Sequence, residues 1–382
     1  RGDGKKERVS TNFVIGATGL LRVPQMPPIA GIEDFKGPWF HSTAWRKDID
    51  LKGKRIAIIG TGASANQIVP QIAKTADEVI IFQRTPHWMM SHPKYGKALS
   101  GDERDLIEQI PTYLSWFRFL QFWQNGDSIL SAVRIDPAWP NQRRSVSAVN
   151  ERLREEMMAY ITAQIGDRPD LMQKVVPDYP PHGKRLLLDN GWYQALRRDN
   201  VRLIATPIKC ITAEGVLTGD GLEKVDVIAY ATGFDTNKIM WPIQINGRGG
   251  VNVRKELDEK LEAYHGTALA HCPNLLITWG PNGVPGHGGN GIFFAETQIH
   301  YITECLRAMF DNGWKKMEVR EDALRKNVDA VQKELKQFVW SMPDISNWHK
   351  GKRDRVTSVT PKRLIDIWKD SKAPVTADYS VG

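Results

Sequence analysis

Residues 54–59 (Lys-Arg-Ile-Ala-Ile-Ile) form a short apolar run that leads straight into Gly60-Thr61-Gly62-Ala63-Ser64-Ala65. Such a run is typical of a strand buried on both faces of a parallel sheet. Residues 66–75 then place Ile68, Val69, Ile72 and Ala73 at helical spacing, with Pro70 read as early in the helix, where proline is tolerated best. A second strand, residues 78–82 (Glu-Val-Ile-Ile-Phe), completes a β-α-β unit. Two parallel neighbours joined by a helix commit the chain to the α/β class. The glycines have distinct uses there: Gly60 permits the tight turn, Gly62 lets the backbone approach a pyrophosphate, and Ala65 is small enough for close helix–strand packing. The helix N-terminus adds unpaired N–H groups that suit phosphates. Residues 60–65 are therefore candidate cofactor-binding residues, and the strand-to-helix context weighs against a plain glycine-rich turn.

The end of the second strand distinguishes between the nicotinamide cofactors. A site for NAD wants a carboxylate there for the ribose hydroxyls. This chain has Gln83 and Arg84 instead, the arginine 24 residues after Gly60. A guanidinium matches a 2′-phosphate in charge and fork geometry. The expected ligand is NADP(H), with Thr85 as a second contact; a surface arginine is the bland alternative.

The remaining chain sets broader bounds. Its 382 residues suit two or three domains. Residues 8–16 read as a strand after a Gly2-Asp3-Gly4 turn, Pro24 to Pro28 as an extended linker, and residues 87–175 as a helical insert rich in aromatics (Tyr113, Trp116, Phe117, Phe119, Phe122, Trp123). A packed insert is expected, because Arg118 alone among these aromatics supplies a cation for a membrane-surface helix. Strands resume at 201–205 and 225–230, with turns between them, and helices alternate with turns from about 292. Cys210, Cys272 and Cys305 show no metal-ligand spacing and no disulfide framework, so no metal is expected and a reducing, cytoplasmic setting is the simpler reading. The pI of 9.2 invites a nucleic-acid reading, yet the basic residues are dispersed and the longest cluster lies at 350–355. No nucleic-acid partner and no stable membrane insertion are expected. The opening residues lack the apolar stretch of a signal peptide.

Residues 35–46 carry Phe35, Gly37, His41 and Trp45, followed by Arg46. Their spacing resembles the fingerprint of type I Baeyer–Villiger monooxygenases, F-x-G-x-x-x-H-x-x-x-W, except that Arg46 replaces the final Pro or Asp. By residue chemistry alone, His41 and Trp45 would more often pack than act. Ala17-Thr18-Gly19 and Ala231-Thr232-Gly233-Phe234 resemble the family's paired strand ends between flavin and nicotinamide domains, and Phe82 to Pro86 its NADP-phosphate site. Gly183-Lys184-Arg185 resembles the segment with the active-site arginine and a phosphate-binding lysine. Gly280-Pro281-Asn282 and the glycine-rich loop through Asn290 resemble the loop beside flavin and substrate, and Trp348 a tryptophan closing over NADP. The stretch from Trp192-Tyr193 through residues 247–250 is most similar to the 4-hydroxyacetophenone monooxygenase branch.

The resemblance implies a Rossmann-like α/β flavoprotein with two dinucleotide-binding domains and a helical insert, using FAD and NADP(H). NADPH would reduce FAD, the reduced flavin would take up O2, and the resulting peroxyflavin would attack a ketone to give an ester or lactone. Arg185 is the expected catalytic residue, supplying a fixed charge in a water-poor pocket. Lys184, Arg84, Thr85, His41, Trp45, Thr232 and Trp348 join residues 60–65 as expected cofactor contacts. His182, His287 and Cys272 have no triad spacing and are read as structural or pocket-lining. The expected organisation is 1–45 as a remnant of the FAD domain and linker, 46–88 with 184–216 as the NADP domain, 89–183 as the helical insert, and 217–382 as the return of the FAD domain. No second glycine-rich β-α-β unit is read ahead of the first. The chain is thus expected to lack its first FAD segment, to be N-terminally truncated and inactive alone, and to leave the strands at 8–16 and 225–230 as exposed edges. Two rivals stand beside this reading: a flavin monooxygenase acting on nitrogen or sulfur, and an NADP-binding fragment without turnover.

Overall fold

The computed structural model describes residue 4 and residues 6–92, 95–351 and 355–382. The Gly2-Asp3 turn and part of the 350–355 basic cluster lie outside the described residues. The chain divides into two compact units, one of Val23–Phe119 and Ser131–Asp235, the other of Arg1–Arg22, Leu120–Leu130 and Thr236–Gly382.

The first unit is organised by a five-stranded parallel sheet in the order Trp39–His41, Val227–Tyr230, Arg55–Ile59, Glu78–Phe82, Val201–Ile204. The strand at its centre leaves no exposed surface on Ile56, Ala57 or Ile58, as a strand covered on both faces requires. The helix Ala63–Ile72 crosses back to Glu78–Phe82 and lays Ala65 and Val69, both fully buried, on the sheet. Pro70 sits in its last turn rather than early in it, because the helix spans Ala63–Ile72 and so begins three residues before the stretch 66–75. The opposite face is closed by Phe35, Ile211, Val216 and Val225 against Ala57, Ile80 and Ile228. Gly37 is dictated by packing: a Cβ there would lie 2.4 Å from the Asp226 carbonyl oxygen.

Three sequence expectations change. The strand at 227–230 is interior to this sheet rather than an exposed edge, because Trp39–His41 adds beyond it. Trp39–His41 pairs with Val227–Tyr230, which in turn pairs with Arg55–Ile59, and the helical insert lies in this same unit apart from Leu120–Leu130. Nor is the aromatic helix Tyr113–Gln124 packed away. It buries no residue, and Trp116 and Trp123 are 63% and 69% exposed, since its apolar side chains surround the axis instead of forming one stripe. The segment read as turns after 204 is a three-stranded antiparallel sheet of Ile208–Thr212, Gly215–Thr218 and Leu222–Lys224.

In the second unit the strand is shorter than 8–16, covering Val14–Gly16, and it pairs in parallel with Leu275–Ile277. The long helix Gly291–Asp311 packs Tyr301, Ile302, Cys305 and Met309 onto Leu276, Met317, Leu324 and Val328. Among the described residues no helix is long and apolar enough to cross a membrane.

Candidate functional site: the carboxyl edge of the parallel sheet

The residues singled out in the first unit gather where ligands meet open α/β sheets, at the carboxyl ends of parallel strands. His41 ends the edge strand, Ala231 and Thr232 follow Tyr230, Gly60 follows Ile59, and Arg84 and Thr85 follow Phe82. Gly60 has φ 111°, and a Cβ there would lie 2.5 Å from the Ala231 carbonyl oxygen, so the turn requires glycine. Gly62 differs: a Cβ would meet nothing within 4 Å. No neighbour in the protein explains the absence of a side chain at Gly62, whereas a backbone surface kept clear for a ligand does. It is the N-cap of a ten-residue helix whose first amides no side chain caps. Thr61 is buried and donates its hydroxyl to the Thr85 carbonyl at 3.0 Å, tying the turn to the second strand end.

At that strand end the structure brings together residues about a hundred positions apart. Lys184 is buried, and its Nζ donates to Thr85 Oγ1 at 2.5 Å. Burial, then the nearby charge of Arg84, push its pKa down to about 8, opposed by Asp178. His87, beside the same two cations, is pushed down to about 4 by burial and then by Lys184 and Arg84, and is therefore neutral. Arg84 is exposed and makes no hydrogen bond or ion pair to another described residue. Lys184 and Arg84 repel one another and Asp178 opposes this only in part, so the cluster keeps surplus positive charge of the kind that suits a phosphate dianion. Tyr179 braces the arrangement: its hydroxyl donates to Pro86 O at 2.8 Å, its carbonyl accepts from Trp88 Nε1 at 2.8 Å, and Lys184 Nζ sits 5.0 Å from its ring.

The side chain of Arg185 is exposed and unpaired among the described residues, yet surrounding protein strips enough water from the guanidinium to lower its pKa. Arginine remains protonated through such a shift. The segment that follows is held by Asn66, whose Nδ2 donates to Leu188 O at 2.7 Å and whose Oδ1 accepts from Asn190 N at 3.2 Å. A polar residue on the buried face of an otherwise apolar helix stripe was the sequence signal for Asn66.

The remaining residues have internal partners. His41 is buried; its Nδ1 accepts from Thr43 N at 3.2 Å, and burial lowers its pKa, with the Gly233 backbone opposing. Trp45 packs edge-on against Phe40, centroids 4.9 Å apart. Thr232 donates its hydroxyl to Gln25 O. Trp348 lies in the second unit, where its carbonyl accepts from Thr236 Oγ1 and its ring lies against His349. Asn282 also serves its own unit, donating to Val356 O and Val359 O. Burial raises Cys272 to about 11 and Cys305 to about 12, so neither is a ready nucleophile.

Sequence reasoning missed a second run with dinucleotide spacing, Gly286-x-Gly288-x-x-Gly291, between the strand Val284–Pro285 and the helix Gly291–Asp311. Here the space is filled by protein. A Cβ at Gly286 would lie 2.4 Å from the Trp340 ring, and one at Gly288 would lie 2.3 Å from Asn125 O and 2.6 Å from Gly126 O. Of the two runs, only 60–65 keeps its second glycine clear.

An open glycine turn on a helix N-terminus, beside unpaired cations at the next strand end, defines a dinucleotide-binding protein of the doubly wound α/β class. Comparison with known proteins narrows this. The family described as flavin-binding monooxygenase-like matches residues 1–97. The chain is 37% identical over 379 residues to the uncharacterized monooxygenase y4iD of Sinorhizobium fredii, covering 99% of this chain and 57% of that protein. It is 32% identical over 375 residues to a Baeyer–Villiger monooxygenase of Streptomyces coelicolor, covering 98% and 69%. Among solved structures it is similar to OTEMO in complex with FAD and NADP, with a TM-score of 0.77, 25% identity, and 99% of this chain and 76% of that one covered. The chain belongs to the flavin-binding monooxygenase-like family, among relatives that include Baeyer–Villiger monooxygenases. It spans 57% to 63% of the length of y4iD and of the Aspergillus niger and Pseudomonas aeruginosa relatives.

Proposed function

We propose that the protein carrying this chain is an FAD- and NADPH-dependent monooxygenase that inserts one oxygen atom of O2 into a ketone, giving an ester or lactone. The single observation that carries the reading is the open Gly62 turn beside the unpaired Arg84 and the buried Lys184. In this reading the nucleotide pyrophosphate lies on the first amides of the helix Ala63–Ile72. Arg84 and Lys184 hold the 2′-phosphate, and Thr85, already the acceptor for Lys184, orients the ammonium. Gln83, uncharged where NAD enzymes carry a carboxylate, leaves that phosphate unopposed.

Bound flavin would supply the activation of O2, chemistry that no protein side chain performs. Arg185 would hold positive charge where negative charge develops on oxygen, and its freedom from any ion pair leaves the guanidinium available for that. His41 and Thr232 would form the wall at the adjoining strand ends, with Trp45 holding that wall through Phe40. No residue of 286–291 is assigned to the flavin pyrophosphate, because Asn125 and Gly126 lie over Gly288.

The similarity to the 4-hydroxyacetophenone branch makes an aryl ketone a useful probe, although Trp192 and Tyr193 are buried packing residues here. Streptomyces and Pseudomonas relatives named as Baeyer–Villiger monooxygenases favour carbonyl over heteroatom oxidation. The test supplies the full-length protein with NADPH, O2 and either 4-hydroxyacetophenone or a thioether, and identifies products by mass spectrometry. Ester from the ketone is expected. Sulfoxide without ester would favour the heteroatom reading, and NADP binding with no turnover would favour a binding module.

A further inference from the structure

The helix Tyr113–Gln124 is one continuous element of twelve residues and buries none of them. Among the apolar side chains that surround its axis, Trp116, Phe119, Leu120 and Trp123 fall at i, i+3, i+4 and i+7 and so share one face. They are 63%, 46%, 50% and 69% exposed. The rings of Trp116 and Phe119 meet edge to face with centroids 5.7 Å apart, so neighbours on this face are already ordered against each other. Phe122 lies off this face and packs on Phe293, centroids 4.9 Å apart, which holds the helix by a different side. From Gln109 to Gly126 there is no acidic residue, and Arg118 is the one charge. At about 100° per residue, Arg118 falls on the far side of the helix from the four.

We propose that this face is an interface between two copies of the protein, the helices packed antiparallel about a two-fold axis between Phe119 and Leu120. The pattern of side-chain size reads the same in both directions, Trp-x-x-Phe-Leu-x-x-Trp. In a two-fold contact residue i meets residue j, and j meets i. Trp116 of each copy therefore meets Trp123 of the other, and Phe119 meets Leu120. The antiparallel arrangement also opposes the two helix dipoles. Two tryptophans about two-thirds exposed, with a phenylalanine and a leucine about half exposed, offer about 500 Å² per copy and about 1,000 Å² in the pair, the size of a reversible but specific interface. A bilayer suits the helix less well. Twelve residues span about 18 Å, too short for a hydrocarbon layer of about 30 Å. A lipid surface favours lysine and arginine beside the aromatics, whereas the preceding helix Gly101–Gln109 carries Asp102, Glu103, Asp105 and Glu108 against Arg104. An uncharged apolar surface of matching shape is what this face requires, and a second copy presents one.

Sedimentation of the full-length protein tests the association. Wild type should dimerise at micromolar concentration. W116E and W123E should each raise the dimer dissociation constant about thirtyfold or more, the scale of losing an interfacial tryptophan. L114E, on the opposite side of the same helix, should change it about twofold or less, as a surface substitution does. Far-UV circular dichroism identical to wild type separates lost association from lost folding. Crosslinking with a short bismaleimide reads the geometry independently: W116C mixed with W123C should join through positions 116 and 123, located by peptide mass spectrometry, and neither variant alone should join there. W116C joined to itself would overturn the antiparallel arrangement. A wild type that stays monomeric at tens of micromolar, or folded W116E and W123E that associate as tightly as wild type, would overturn the interface. Flotation of a monomeric wild type with vesicles of phosphatidylcholine and phosphatidylglycerol would assign the face to a membrane and equally overturn the proposal.

Discussion

Replacing Lys184 by methionine should make the nucleotide-free protein more stable while weakening its hold on NADPH. The folded protein holds this ammonium at a pKa of about 8 against 10.5 in an unfolded chain, because burial and Arg84 oppose its charge. Each tenfold change in proton affinity is worth about 1.4 kcal/mol, so the charge destabilises the folded state by about 3 kcal/mol at neutral pH. Methionine keeps most of the volume and removes the charge. It also removes the charge-assisted hydrogen bond to Thr85, worth about 1.5 kcal/mol, and the contact with the Tyr179 ring, worth about 0.5 kcal/mol. A net gain of about 1–2 kcal/mol should raise the melting temperature by about 2–8 °C for a unit of this size. The pH dependence has a definite sign. Between pH 8 and 10.5 the unfolded chain binds more protons at this residue than the folded one, so wild-type stability should rise with pH across that window. K184M should lack that component. Differential scanning calorimetry at pH 7 and pH 9.5, with NADPH titrations at pH 7, checks both halves. A K184M protein less stable than wild type at pH 7, or one binding NADPH as tightly, would refute the reasoning.

Three further outcomes follow from the same site. G62A should leave the melting temperature within the range of a ~0.5 kcal/mol surface change yet weaken NADP+ binding in a titration, whereas G60A should destabilise by about 1–3 kcal/mol, because its φ of 111° and the Ala231 carbonyl forbid a side chain. R84A should reduce kcat/KM with NADPH by about tenfold to a hundredfold and with NADH far less, the scale of one lost charge-assisted contact. R185A should abolish ester formation while slowing flavin reduction by NADPH much less, as followed by stopped-flow absorbance of the full-length enzyme.

What the sequence disclosed follows from how local the signals are. The strands at 55–59 and 78–82 and the turn between them are legible because apolar runs and a glycine turn lie within thirty residues. Strand order is not: 39–41 and 227–230 join this sheet through pairings across up to 189 positions, which no local periodicity encodes. Arg84 and Thr85 could be assigned from charge at a strand end, but their meeting with Lys184 spans 99 positions and was anticipated only through family resemblance. The two glycine runs are the clearest case. Spacing makes 60–65 and 286–291 equivalent, and only residues distant in sequence, Asn125 and Gly126 among them, distinguish a turn open to a phosphate from one that receives the protein's own backbone.

The most direct measurement of the central claim is isotopic. The full-length protein is incubated with NADPH, a ketone such as cyclohexanone and oxygen gas labelled with oxygen-18, and the product is weighed by mass spectrometry. A lactone or ester carrying one labelled oxygen atom, formed with NADPH and poorly with NADH, is the expected result. NADPH consumption that yields only hydrogen peroxide, or a product whose added oxygen comes from water, would contradict it.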